Sequence, residues 1–244
     1  MLKAVTNSLL SIAFPQHCHI CSRPVEQRAD GVACASCWTA TRIFDSSTNA
    51  CSKCGSLLPP ARNAEERNCR ECADYRFDTV FSAGVYEHAM AATVQELKRT
   101  PHLPLRVRDL LAATIDRAGP GSHDVIMPVP LSPKRRTERG FNQAEVIGQF
   151  LSKHAGIPLD AASLVRHKHT PIHRVAMDGK AREASVKNAF KVIRPSLVGG
   201  RSVLLVDDIL TTGSTASYCA KELKKHGAAR VSIITLARAV RSSF

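Results

Sequence analysis

The sequence predicts an α/β protein: a mostly parallel sheet with helices on both faces, preceded by a small cysteine-rich module. Three observations carry that expectation. Val203-Leu-Leu-Val206 is an apolar run followed by two carboxylates, a turn of small hydroxylated residues and an amphipathic stretch, which is the order strand, tight loop, helix. Other apolar runs alternate with helical patterns through residues 77–244. Four Cys-x-x-Cys pairs fall within residues 1–76. The expected division is a module at 1–76, opening with a short amphipathic helix at Met1–Phe14, and an α/β domain at 77–244.

With 244 residues, 44% of them hydrophobic and 5% aromatic, the chain can bury one good core and carry a small accessory unit. No apolar run approaches membrane-spanning length. Met1–Phe14 is interrupted by Thr6, Asn7 and Ser8 and is followed by Pro15 without a small-residue cleavage site, so a cytoplasmic location is expected. The net charge of +13 is uneven: residues 1–76 carry 9 basic and 7 acidic side chains, residues 77–244 carry 25 and 14. The basic character belongs to the α/β domain and calls for an anionic ligand or partner.

Taken in order, the first elements are the cysteine pairs Cys18/Cys21, Cys34/Cys37, Cys51/Cys54 and Cys69/Cys72, separated by 12, 13 and 14 residues. Each pair is a knuckle whose two sulfurs can meet one metal ion, and two knuckles complete a tetrahedral zinc site. Iron–sulfur ligation and disulfides are the other chemistries open to such pairs. Serial pairing, first with second and third with fourth, is favoured by Gly55 after Cys54; the alternatives are a cross-brace and a single occupied site. Trp38 is expected to pack against the module, and residues 55–68 to form a ribbon loop. Cys219 stands apart as a buried structural thiol.

Beyond Cys72 the composition changes. Thr79–Tyr86 reads as a strand, Met90–Arg99 as a helix with Lys98 in its last turn, and Leu105–Arg117 as a second helix. Val125-Ile-Met127 is a buried strand, and Pro128-Val-Pro130-Leu131 then forces an extended loop. Lys134, Arg135, Arg136 and Arg139 lie within six residues, before a helix from about Asn142 to His154. Leu164–His173 is rich in cations and poor in apolar residues, Val186–Ile193 reads as an edge strand, 195–200 as a turn and Val231–Ala239 as the last strand.

The stretch Val203–Thr215 holds the clearest chemistry. The first N–H groups of a helix over Ala216–His226 would be unpaired and aimed at the preceding loop, where the helix dipole favours negative charge. Gly213 permits a close backbone approach, and the hydroxyls of Thr211, Thr212, Ser214 and Thr215 offer further donors to a phosphate. Asp207 and Asp208 cannot bind phosphate themselves and suit ribose hydroxyls, directly or through a divalent metal.

This stretch resembles the phosphoribosyl-pyrophosphate (PRPP) motif of type I phosphoribosyltransferases over all thirteen residues. The resemblance implies that Asp207 and Asp208 hold the ribose 2′- and 3′-hydroxyls, and that Thr211–Thr215 hold the 5′-phosphate, with magnesium accompanying PRPP. It also implies that Pro128, Val129, Pro130 and Leu131 bind pyrophosphate through backbone groups. The segment at 164–173, with Arg166, Lys168 and His169, would be a hood over the ligand. Arg139-Gly-Phe-Asn142-Gln143, together with the cysteine pairs, is similar to the ComF/GntX-like family of competence-associated phosphoribosyltransferases. Lys98, Arg135, Arg139, Asn142 and Gln143 then join the expected basic and hood residues. His173 and Ser185 depart from that family's pattern, which often has glutamine and asparagine there. Thr211 occupies the place where purine-salvage relatives carry an aspartate base. The implied functions are therefore pentosyl transfer to an acceptor that is itself a competent nucleophile, a non-catalytic single-stranded DNA adaptor working with a helicase-type competence protein, or a PRPP sensor.

Overall fold

The computed structural model describes residues 15–59, 69, 72–119, 121–167 and 189–240. The expected helix at Met1–Phe14, residues 60–68 of the ribbon loop, and Lys168, His169, His173 and Ser185 lie outside them. The elements run α1 (Ala35–Thr39), β1 (Thr79–Val85), α2 (His88–Leu97), α3 (Leu105–Arg117), β2 (Val125–Pro128), α4 (Pro133–Arg139) and α5 (Gln143–Ala155). They continue with β3 (Leu164–Arg166), β4 (Phe190–Val192), β5 (Ser202–Leu210), α6 (Ser214–Lys225) and β6 (Arg230–Arg238). Four strands form one parallel sheet in the order β1-β6-β5-β2.

The apolar run at the start of β5 explains the layers. Successive side chains of a strand point to opposite faces. Val203 and Leu205 accordingly join Val231 and Ile233 of β6 under α6 and the β3–β4 pair. Leu204 and Val206 join Ile234 and Leu236 under α2, α3 and α5. All four residues of the run are fully buried, as a sheet covered on both faces requires. Neither outer strand is bare. Beside β1, Phe44 N–H donates to Ala83 O (2.9 Å) and Val85 N–H donates to Arg42 O (2.9 Å). Beside β2, Ile126 N–H donates to Pro158 O (2.8 Å) and Asp160 N–H donates to Ile126 O (2.9 Å).

Three elements differ from expectation. The acidic pair does not end the strand: β5 continues through Asp207 and Asp208 to Leu210, because β6 remains paired with it as far as Arg238. The Lys134–Arg139 charge run is a helix, begun by Ser132 and Pro133 and closed by Gly140 in the left-handed region at φ 77°. The strand expected at 186–193 is represented by β4, which pairs antiparallel with β3 in a separate two-stranded ribbon rather than at an edge of the main sheet.

Candidate functional site

The carboxyl ends of β5, β6 and β2 converge on the Thr-rich loop, the place where open α/β sheets bind ligands. The loop ends at Gly213, at φ 73°, which caps α6 from the left-handed region without any side-chain cap hydrogen bond. Thr212 Oγ1 and Ser214 Oγ lie 3.1 Å apart beside it. The opening N–H groups of α6 thus face the loop hydroxyls, the donor arrangement an anion needs.

Asp207 and Asp208 occupy consecutive strand positions, and their carboxyls nevertheless interact: Asp207 Oδ1 accepts from Asp208 N–H (2.9 Å), the two side chains meet directly, and Lys98 acts on both. Asp207 lies on the α6 face, within the fields of Arg166 and Cys219. Burial first, and then the neighbouring Asp208 carboxylate, push Asp207 well above the ordinary carboxylate range, while Lys98 opposes the shift. The Cys219 thiol is likewise pushed well up by burial, with Asp207 adding to it. Asp208 is 4% exposed, and its Oδ2 lies 3.7 Å from Lys98 Nζ at the end of α2. That oxygen is buried without a hydrogen-bond partner among the described residues.

The charge run sorts itself by helical spacing. Arg136 pairs with Glu145 at 2.9 Å, and Lys134 sits 3.9 Å from Glu138. Arg135 and Arg139, four apart on one face of α4, turn inward. Burial, and then the guanidiniums of Arg166 and Arg139, draw Arg135 below the usual arginine value. Burial lowers Arg166 in the same way, with Asp207 opposing, and its guanidinium lies 5.4 Å from the Phe190 ring centre. Like charges gathered in a partly buried place fit an anion between them.

Other expected site residues serve the scaffold. Asn142 caps α5, accepting from Ala144 N–H (3.1 Å), and donates to Val129 O (3.0 Å). Gln143 Oε1 accepts from Arg139 Nη1 at 2.5 Å, holding that arginine in place. In the loop at Pro128–Leu131 the prolines have no N–H, and Val129 N–H donates to Val206 O (2.8 Å). Leu131 alone of the four keeps an N–H outside the sheet pairing. Two residues that the sequence pattern did not single out, Tyr75 and Arg238, touch the Thr-rich loop directly.

The cysteines form two groups in serial order, Cys18/Cys21/Cys34/Cys37 and Cys51/Cys54/Cys69/Cys72. The recorded sulfur–sulfur distances, 3.4 to 3.7 Å, are too long for disulfides. They match the tetrahedron edge of about 3.8 Å set by zinc–sulfur bonds near 2.3 Å. Arg23 Nε donates to Cys21 Sγ (3.5 Å), and this hydrogen bond lowers that thiol to about 6, toward the thiolate a metal takes.

A family profile described as a double zinc ribbon domain matches residues 9–73, and one described as a phosphoribosyl transferase domain matches residues 142–243. The chain is 28% identical over 235 residues to the "DNA utilization protein YhgH" of Escherichia coli, covering 93% of this chain and 99% of that protein. It is 39% identical over 117 residues to "Competence protein F" of Haemophilus influenzae, covering 48% and 51%. Against "Competence protein ComFC" of Bacillus subtilis it is 26% identical over 226 residues, 86% of each. Among solved structures, a B. subtilis glutamine PRPP amidotransferase aligns with a TM-score of 0.38 and 17% identity, over 58% of this chain and 30% of that one. The chain is thus a phosphoribosyltransferase-type α/β protein carrying a double zinc ribbon. The two profiles and the competence-protein relatives are consistent with the ComF family.

Proposed function

We propose that the chain binds PRPP or a related phosphorylated ribose at the carboxyl edge of its sheet. The gathering of Arg135, Arg139 and Arg166 on the same side as Asp207 and the open start of α6 carries this reading. In it, Thr211–Thr215 receive the 5′-phosphate, Asp207 and Asp208 the ribose side, and the arginines the pyrophosphate, with Leu131 N–H as a donor from the β2 loop. Asp207 and Asp208 would hold a magnesium ion, since Asp208 Oδ2 is buried without a hydrogen-bond partner among the described residues and the ion's preference for one or two carboxylates plus ligand phosphates suits this adjacent pair. The ion would supply charge neutralisation of the pyrophosphate. Catalysis here is positioning and electrostatics, drawing pyrophosphate from the ribose for capture by a nucleophilic acceptor.

Thr211, in the base position, favours a second reading in which the protein senses PRPP without turnover, or serves as a cytoplasmic adaptor for single-stranded DNA and a helicase-type partner. The excess of basic over acidic residues in 77–244 supports the DNA arm. Calorimetric titration with PRPP and magnesium tests the site. Wild type is expected to bind, and Asp207→Asn/Asp208→Asn to lose at least tenfold in affinity. Equal binding by the two proteins sinks the site assignment. Single-stranded DNA binding that persists in the double variant while wild type ignores PRPP sinks the PRPP reading.

A further inference from the structure

Arg238 is the last residue of β6, and the sheet register sets it opposite Leu210, where β5 gives way to the Thr-rich loop. Its side chain is 6% exposed and spans two parts of the molecule. On one side Nε donates to Cys54 O (2.9 Å) and Nη2 to Ser56 Oγ (2.8 Å), both in the second zinc ribbon. On the other, Nη1 donates to Leu210 O (3.0 Å), Thr211 O (2.6 Å) and Ala239 O (2.7 Å).

Tyr75, three residues beyond Cys72, adds a second tie. Its hydroxyl donates to Thr212 O, and its ring covers Gly213 so closely that an added Cβ would meet a ring carbon at 2.9 Å. Arg76 N–H donates to Ser217 Oγ (3.0 Å) in α6. Three consecutive carbonyls, 210 to 212, are therefore held on the ribbon side. The peptide unit is planar and trans, so fixing those carbonyls turns the N–H groups of Thr211, Thr212 and Gly213 the opposite way, toward the open side of the loop. A guanidinium can bridge carbonyls on both sides at once; an ammonium, a point donor on a flexible stem, cannot.

We propose that Arg238 and Tyr75 are positioning residues through which the second zinc ribbon shapes the phosphate loop, so that affinity for a phosphorylated ribose depends on the second cysteine cluster and not on the first. The inference rests on the reading of Thr211–Thr215 as a phosphate site. Two readouts on the full, zinc-loaded chain separate the two claims. Amide hydrogen exchange needs no ligand: Arg238→Ala should speed exchange at 210–217 by roughly tenfold while leaving the first ribbon unchanged and both zinc ions bound. In titration with PRPP and magnesium, Arg238→Ala should weaken binding roughly tenfold and Tyr75→Phe roughly threefold, and Arg238→Lys should not restore it.

Loop exchange that stays at the wild-type rate in Arg238→Ala overturns the proposal, and so does exchange that rises equally throughout the chain. Should Arg238→Ala fail to fold, Tyr75→Phe decides, with unchanged exchange at 212–214 counting against the clamp. Faster loop exchange in a protein whose wild type ignores PRPP upholds the clamp and removes the phosphate reading.

Discussion

The two zinc ribbons are built from the same pattern but fastened differently. The first packs on the α2, α3 and α5 face, where Cys18, Cys34, Cys37 and Trp38 share a core with Met90, Leu111 and Ile147. Arg106 of α3 secures it, with Nε 2.6 Å from Asp30 Oδ1 and the guanidinium 5.4 Å from the Trp38 ring centre; Trp38 Nε1 in turn donates to Asp30 O (3.0 Å). The second ribbon packs on the α6 face, with Cys51, Cys54 and Cys72 beside Val203, Leu205 and Cys219. Its arginine, Arg238, holds the ribbon and the Thr-rich loop together. One ribbon is fastened to the scaffold helices, and the other to the Thr-rich loop. Repeated sequence motifs thus need not have repeated roles; the difference lies in what the anchoring arginine touches on its far side.

The largest effect that would break this comparison is loss of one metal ion at a time. Each structural zinc site stands for on the order of 10 kcal/mol of folding free energy. Cys72→Ser and Cys34→Ser should each lower zinc content by one ion per chain. Cys72→Ser should abolish PRPP binding, whereas Cys34→Ser should leave it within about threefold. Equal losses from the two would erase the distinction.

Next comes the first ribbon's own anchor. Arg106→Ala removes the partner of a buried carboxylate and a cation from an aromatic face, for a cost of about 2–3 kcal/mol in urea unfolding. PRPP affinity should not change.

A finer test concerns Asp207, whose folded pKa is raised by burial and by Asp208. A carboxyl with a raised folded pKa favours folding below its unfolded value of about 3.9, and that contribution is lost as pH rises toward the folded value. Asp207→Asn should therefore raise the midpoint of thermal unfolding at pH 7 while impairing ligand binding, and the gain should vanish near pH 4. A variant less stable than wild type at pH 7 would mean that the neighbouring cations, not burial, govern this carboxylate.

Much of this was legible in the chain because the signals are local. The Val203–Val206 run, the Thr-rich turn and the Cys-x-x-Cys pairs each specify their element within a dozen residues, and the helix at Leu105–Arg117 stands where its pattern placed it. The seven-residue α4 was hidden because its apolar face is missing: its inward positions are Arg135 and Arg139, which read as charge rather than periodicity. The placing of Asp207 and Asp208 inside the strand followed from β5 running on to Leu210, a length set by its partner strand. Arg238 and Tyr75 had no local signal at all. Their contacts join residues 184 and 137 positions apart, and an arginine ending an apolar strand looks like any solvent-facing terminus.

The segment between the two ribbons has one more consequence. Residues 42–44 lie along the outer strand β1, and Gly84 lets them come so close that an added Cβ would sit 2.6 Å from Arg42 O. They occupy the hydrogen-bonding edge that would otherwise recruit a strand from another molecule. Residues 77–244 made alone would lack these partners, leaving the edge groups of β1 open to pairing with another strand.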